Sequence, residues 1–305
     1  MTDELPKPEH LVRDQANSGL ALRRVLAALG PYRDDLVLIG GWVPYLYQQF
    51  GGFPEWQVEI ARTIELDLVV PSSLMAEQRQ PLAEILVRAG FSAILRNEGA
   101  VWVREGAGDE MIEFFTAHHG TARQIGTPRP VAGQTALAAI SMTHLALLTE
   151  ETQTLTIGRY GGEELTVRVP TLGGYVLNKA LTFMERLSAS DHGVSKAAKD
   201  IAYIRDVMAG GERVRSQVRS DIKVLVKRVK SRKSQIRTAR DRLSHLITDS
   251  TRVFDAAVGQ VALQHRFRSD SAARADLLGY IEILSDLLSD IHGKANPRKD
   301  SGEIG

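Results

Sequence analysis

Up to about residue 170, apolar positions come as short runs cut by glycine and proline; from Leu172 onward they recur at helical spacing almost to the end. Residues 1–35 read as a helix after a proline-containing start, with Leu20, Leu22, Val25, Leu26 and Leu29 on its apolar side and Gly30-Pro31 as its stop. Leu36-Val37-Leu38-Ile39 is a short strand that runs into Gly40-Gly41. Residues 42–50 form a second predicted helix, with Pro44 in the first turn, where proline is tolerated. Residues 63–70 read as a strand, 76–89 as a helix closed by Gly90, and 93–95, 100–104 and 111–115 as further strands. Residues 136–150 read as a short helix leading to a β-pair, 154–159 and 164–169, turned by Gly161-Gly162. This order predicts an α+β domain, a mixed α/β sheet with helices packed on it, over residues 1–170. A helical domain is expected over 171–292 and a disordered polar tail over 293–305.

The strand at 63–70 contains the first candidate chemistry. Ile64, Leu66, Leu68, Val69 and Val70 call for burial, yet Glu65 and Asp67 interrupt them. Strand side chains alternate, so both carboxylates emerge on one face, roughly 6.5–7 Å apart along the backbone. Like charges on an apolar strand resist burial unless a cation lies between them, and a hard divalent ion is the usual one. The competing reading places one carboxylate in a surface ion pair and the other at a strand end. Glu113 lies mid-strand between Ile112 and Phe114 and therefore faces away from both. With Glu65 and Asp67 it would complete a three-carboxylate cluster of the kind that holds two magnesium ions, or manganese, about 3.5–4 Å apart. Gly40-Gly41, between a strand and a helix, has the geometry that offers backbone N–H groups to an anion, although such pairs also serve turns alone.

Composition narrows the options further. At 305 residues, with 43% hydrophobic and 25% charged residues, the chain is an ordinary globular one with room for a sizeable core. It has no cysteine, which excludes disulfides, zinc–thiolate sites and cysteine nucleophiles. No apolar run reaches membrane-span length and Met1-Thr2-Asp3-Glu4 is no signal-peptide start, so a cytoplasmic protein is expected. The net charge of +1 conceals an asymmetry: residues 212–240 carry eleven basic residues against Glu212 and Asp221, a surplus of nine. That segment reads as one amphipathic helix, with Val218, Ile222, Leu225, Val226 and Val229 as its apolar stripe. Arg219, Lys223, Lys227, Arg228, Lys230, Arg232 and Lys233 are its candidate nucleic-acid contacts, set against the reading of a merely solvated face. The exposed faces lack the aromatic anchors of a membrane-surface helix.

Taken together, Ile39-Gly40-Gly41, then Thr63-x-Glu65-Leu66-Asp67-Leu68, then Ile112-Glu113-Phe114 resemble the nucleotidyltransferase fold of the DNA polymerase β superfamily. Downstream, Pro170-Thr171-Leu172, Tyr175-Val176-Leu177-Asn178-Lys179-Ala180-Leu181 and Lys196-x-x-Lys199-Asp200-Ile201-x-Tyr203-Ile204 are similar to the helical region of AbiEii-type nucleotidyltransferases. Those are toxin halves of bacterial toxin–antitoxin and abortive-infection systems. The resemblance covers roughly residues 36–207 and departs in two places. Glutamate stands at position 65 where aspartate is commoner, and Glu65 comes 24 positions after Gly41, a longer spacing than in minimal members. The extra residues, Trp56 among them, would either flank a nucleotide or cover the core.

The resemblance implies metal-dependent transfer of a nucleoside monophosphate from ATP or another NTP to a hydroxyl on nucleic acid, tRNA among the candidates, or on protein. It implies Glu65, Asp67 and Glu113 as metal ligands, Gly40 and Gly41 as the phosphate cradle, and Lys179 as a charge on the triphosphate. Lys196, Lys199 and Asp200 would orient that lysine or touch phosphate. A cognate antitoxin is the implied protein partner. The rival readings are a catalytically inactive module of the same fold that binds nucleic acid or protein, and an enzyme acting on a small molecule.

Overall fold

The computed structural model describes residues 8–60, 65–71, 74, 79–96, 99–104, 110–118, 126–187, 191–229, 232–248 and 251–294. Two compact units emerge. A sheet unit is made by the chain as far as Gly52 and again from residue 61 to Pro170; a helical unit is made by Phe53–Ile60 and the chain from Thr171 on.

The sheet unit contains α1 (Pro8–Leu29), β1 (Val37–Ile39), α2 (Trp42–Phe50), β2 (Glu65–Val69), α3 (Leu82–Arg88), β3 (Phe91–Arg96), β4 (Gly99–Arg104) and β5 (Glu110–Ala117). After these come β6 (Pro128–Pro130), β7 (Ala138–Met142), α4 (Ala146–Thr149) and the hairpin β8 (Thr152–Tyr160) with β9 (Glu163–Pro170). Seven strands form one sheet along the path β1-β2-β5-β4-β3, with β7 on the far end of β5 and β6 on β7. β2 and β7 run parallel to β5 and the other pairs are antiparallel, so the sheet is mixed and the unit is α/β in class. Leu66 and Leu68 of β2, Ile112 and Phe114 of β5, and Trp102 of β4 share one face and are all buried. That apolar face fixes the register, since a slip of one residue would drive the carboxylates into the core.

Two elements differ from the sequence reading. The helix expected over 136–150 is instead strand β7 followed by the single turn α4. Parallel pairing of β7 with β5 and burial of Ala139, Ile140 and Ser141 override the helical preference of its alanines. Of the helix expected over 76–89, residues 76–78 lie outside the described residues, and the described part, α3, starts at Leu82 with Pro81 at its N-cap, a residue that disfavours helix in the position before it.

The helical unit comprises α5 (Leu172–Leu187), α6 (Asp191–Met208), α7 (Glu212–Arg228), α8 (Arg232–Thr248), α9 (Thr251–His265) and α10 (Asp270–Lys294). α5 is its axis: every residue from Leu172 to Phe183 is buried, and α6, α7 and α8 pack around it. The basic segment is two helices rather than one. Val229 turns extended (φ −129°, ψ 109°), and the backbone N–H of Arg232 donates to the Val229 carbonyl at 2.9 Å as α8 begins. The break lets both apolar stripes, Val218-Ile222-Leu225 and Ile236-Ala239-Leu243, reach the same core, which one straight helix of that length could not do. Trp56 is buried in this unit. Its ring lies so close to Gly210 that a Cβ there would stand 2.9 Å from it, while Phe53 meets the ring edge-on and the Glu59 carbonyl accepts from Gln264 at 3.0 Å. The additional residues before β2 therefore cover a core. Among the described residues no helix is long and apolar enough to cross a membrane. The polar tail expected from residue 293 falls, beyond the end of α10 at Lys294, outside the described residues.

Candidate active site

The parallel pairing of β2 with β5 sets Asp67 directly beside Glu113, with Glu65 two residues earlier on the same face. All three carboxylates are half-buried, and one oxygen from each lies within 4.8 Å of the other two. Glu65 reaches this cluster in spite of its longer arm. The donor set is wholly oxygen, which suits a hard divalent cation such as magnesium or manganese. Three carboxylates this close repel one another strongly without one. Glu110, also on β5, is a different kind of acid. It lies on the opposite face, is buried, and is held by Arg24 at 2.6 Å and Arg104 at 3.3 Å. Arg24 is raised above its ordinary range, chiefly by a hydrogen bond to Tyr160 and further by the charge of Glu110. Glu110 is a structural counter-ion.

β1 flanks β2 on its other side with Ile39 opposite Asp67, and the chain then turns at Gly40 with φ +74°. A Cβ at Gly40 would lie 2.1 Å from Asp67 Oδ2, so this glycine makes the room in which the carboxylate sits. Gly41 differs: at φ −67° it is the N-cap of α2 in ordinary helical backbone. Gly40→Ala should therefore cost about 1–2 kcal/mol from left-handed backbone alone, with displacement of Asp67 in addition. Gly41→Ala should cost clearly less. Urea denaturation of the two variants checks this, and equal losses would remove the special role of Gly40.

The second cluster belongs to the helical unit. Lys179 on α5 is buried and donates from Nζ to Asp200 Oδ1 on α6 at 2.6 Å. Its ammonium also faces the rings of Tyr175 and Tyr203 at 5.6 and 5.4 Å. The structure thus brings Asp200 to Lys179, but it leaves Lys196 and Lys199 exposed on the outer side of α6. Two members escaped the sequence reading: Arg186 Nε donates to Asp200 Oδ2 at 2.6 Å and Thr182 Oγ1 to the same oxygen at 3.2 Å. Their signal is present in the chain, because positions 179, 182 and 186 share one face of a helix that is otherwise apolar.

The basic helices give a mixed result. Lys223, Lys227, Arg228 and Lys233 are exposed. Arg219 is partly drawn off by Asp290 at 3.0 Å, and its neighbours Arg213 and Arg215 by Glu55 and Glu212. Arg232 is a correction: it is buried, with Nη1 donating to Gln235 Oε1 at 2.7 Å, because the first turn of α8 packs into the core at that point. It offers no guanidinium to a partner. Lys230 lies outside the described residues.

Comparison with known proteins adds one finding to this geometry. A family model described as nucleotidyltransferase matches residues 18–221, well over half of the 305-residue chain. No curated protein and no solved structure matches it.

Proposed function

The chain belongs to this nucleotidyltransferase family, and from that premise we propose that it transfers a nucleoside monophosphate from an NTP to a hydroxyl on RNA. The observation that carries the reading is the meeting of Glu65, Asp67 and Glu113 within 4.8 Å, on strands inside the matched region. These three would hold divalent metal, which when bound stabilises charge on the attacking and leaving oxygens. In this reading Glu113 takes the proton of the acceptor hydroxyl as the hydroxyl oxygen attacks the α-phosphorus. The bond from that phosphorus to the bridging oxygen breaks and pyrophosphate leaves. Gly41 and Trp42, at the start of α2, supply backbone N–H groups for the triphosphate, with the helix dipole behind them. For Lys179, held by Asp200 in the helical unit, the family resemblance implies a point charge on phosphate.

RNA is the acceptor class that best suits the exposed Lys223, Lys227, Arg228 and Lys233. The similarity of the region around Lys179 and Lys199-Asp200 to AbiEii-type proteins supports a toxin role with a cognate antitoxin. Incubation with each labelled NTP, magnesium and total RNA should yield labelled RNA. No product with any NTP or acceptor, together with no magnesium-dependent nucleotide binding, would overturn the proposal. On the acceptor side, the Lys223→Gln/Lys227→Gln double variant should flatten the slope of log K for RNA against log salt by about 2. A slope that does not change moves the acceptor away from α7.

A further inference from the structure

The charge around Asp200 does not balance. Asp200 is 2% exposed and accepts from two cations, Lys179 and Arg186, each at 2.6 Å, with Thr182 as the third donor. Among the described residues one carboxylate thus faces two positive groups, an excess of one positive charge in a cluster that is buried at Lys179 and Asp200 and open to solvent at Arg186. Surplus buried charge is costly unless an anion arrives to meet it. The donors are also unevenly used. Lys179 gives Asp200 one of its three N–H groups, and Arg186 engages it only through Nε. Among the described residues the terminal nitrogens of Arg186 have no partner, and its side chain is 28% exposed, against 9% for Lys179.

Arg186 also lies at a close approach of α5 and α6. Gly193, in the first turn of α6, lies so close that a Cβ there would stand 2.1 Å from the Arg186 carbonyl oxygen. With Nε held by Asp200, the outer edge of the guanidinium is an oriented fork, the shape that binds phosphate oxygens two at a time.

We propose that Arg186 is a second phosphate-contacting residue, and that with Lys179 it forms a site in the helical unit for a phosphoanhydride such as pyrophosphate. The inference deepens the transferase reading and rests on it for the identity of the anion. Asp200 is the positioning residue, because its one carboxylate holds both cations. Lys179 lies deeper and provides charge; Arg186 lies toward solvent and provides geometry.

Isothermal titration of the full chain with inorganic pyrophosphate tests this directly. Arg186→Gln should weaken binding about 10- to 100-fold, the range for one charge-assisted hydrogen-bonding group. Arg186→Lys, which keeps the cation and so protects the fold, should recover only part of that loss because the fork is gone. Arg242→Gln, a nearby arginine paired with Glu185 at 3.1 Å, should bind pyrophosphate as the wild type does. In the transfer assay, Arg186→Lys should raise KM for the NTP more than it lowers kcat. Pyrophosphate affinity and KM within twofold of wild type in both Arg186 variants would overturn the inference and leave the transferase reading intact. Absence of transfer by the wild type would overturn that reading, while a loss of pyrophosphate affinity confined to the Arg186 variants would still support the anion site.

Discussion

Asp67→Asn is expected to lower nucleotide transfer by about 10³-fold or more, the scale on which single charge-stabilising groups act in low-dielectric sites. Asp67 is the centre of the cluster: it pairs in register with Glu113 and follows Glu65 on the same strand. Asparagine keeps the shape and one oxygen but removes the charge a divalent ion requires. The same change should raise the melting temperature of protein in chelator, because it relieves repulsion among three close carboxylates. Magnesium should then stabilise the wild type strongly and the variant little, by mass action on the folded state. Thermal melts with chelator and with magnesium, beside the transfer assay, read all three quantities. A variant less stable in chelator, coupled with a wild type indifferent to magnesium, would show that the carboxylates serve protein cations instead.

Asp200→Ala should destabilise the helical unit by about 3–5 kcal/mol, the usual consequence of stripping the partner from a buried charge. Lys179 loses its only carboxylate among the described residues, and Arg186 and Thr182 lose theirs with it. Lys179→Met/Asp200→Ala should recover a substantial part, since methionine follows the lysine stem without its charge. Urea midpoints of the two single variants and the double variant form a cycle that isolates the pair. Strict additivity would mean that the ion pair contributes nothing and that Asp200 acts through packing alone.

How far the chain announced this arrangement varied with the kind of signal. Strand β2 was legible because Leu66 and Leu68 alternate with Glu65 and Asp67, and alternation needs no knowledge of neighbours. The parallel partnership with β5 was not legible, since register between strands 45 residues apart is set by the finished core. β7 was hidden for a similar reason: five residues of alanine, isoleucine, serine and methionine carry no period, and only the end of β5 makes them a strand. Gly40 was visible as a glycine beside a strand, but not its clearance of Asp67, which depends on β1 lying antiparallel to β2. Lys179 and Asp200 stood out as charges in apolar helices. Arg186 did not, because at the end of α5 an arginine looks like an ordinary helix-terminal cation. The break at Val229 was equally silent, as nothing in the basic run resembles a helix stop.

Phe53–Ile60 carries a practical consequence for dissecting the molecule. Because those eight residues count with the helices, the chain passes from one unit to the other three times, after Gly52, after Ile60 and after Pro170. A fragment that starts at Thr171 would lack Trp56 and leave Gly210 and Val214 beside a void the size of an indole. The complementary fragment ending at Pro170 would carry Phe53 and Trp56 with no surface to cover them. Neither half is a cassette that can be lifted out, swapped into a relative or assayed alone. A circular permutant, or a fragment that grafts 53–60 onto the helices through a linker, is the smallest piece on which the helical unit can be studied in isolation.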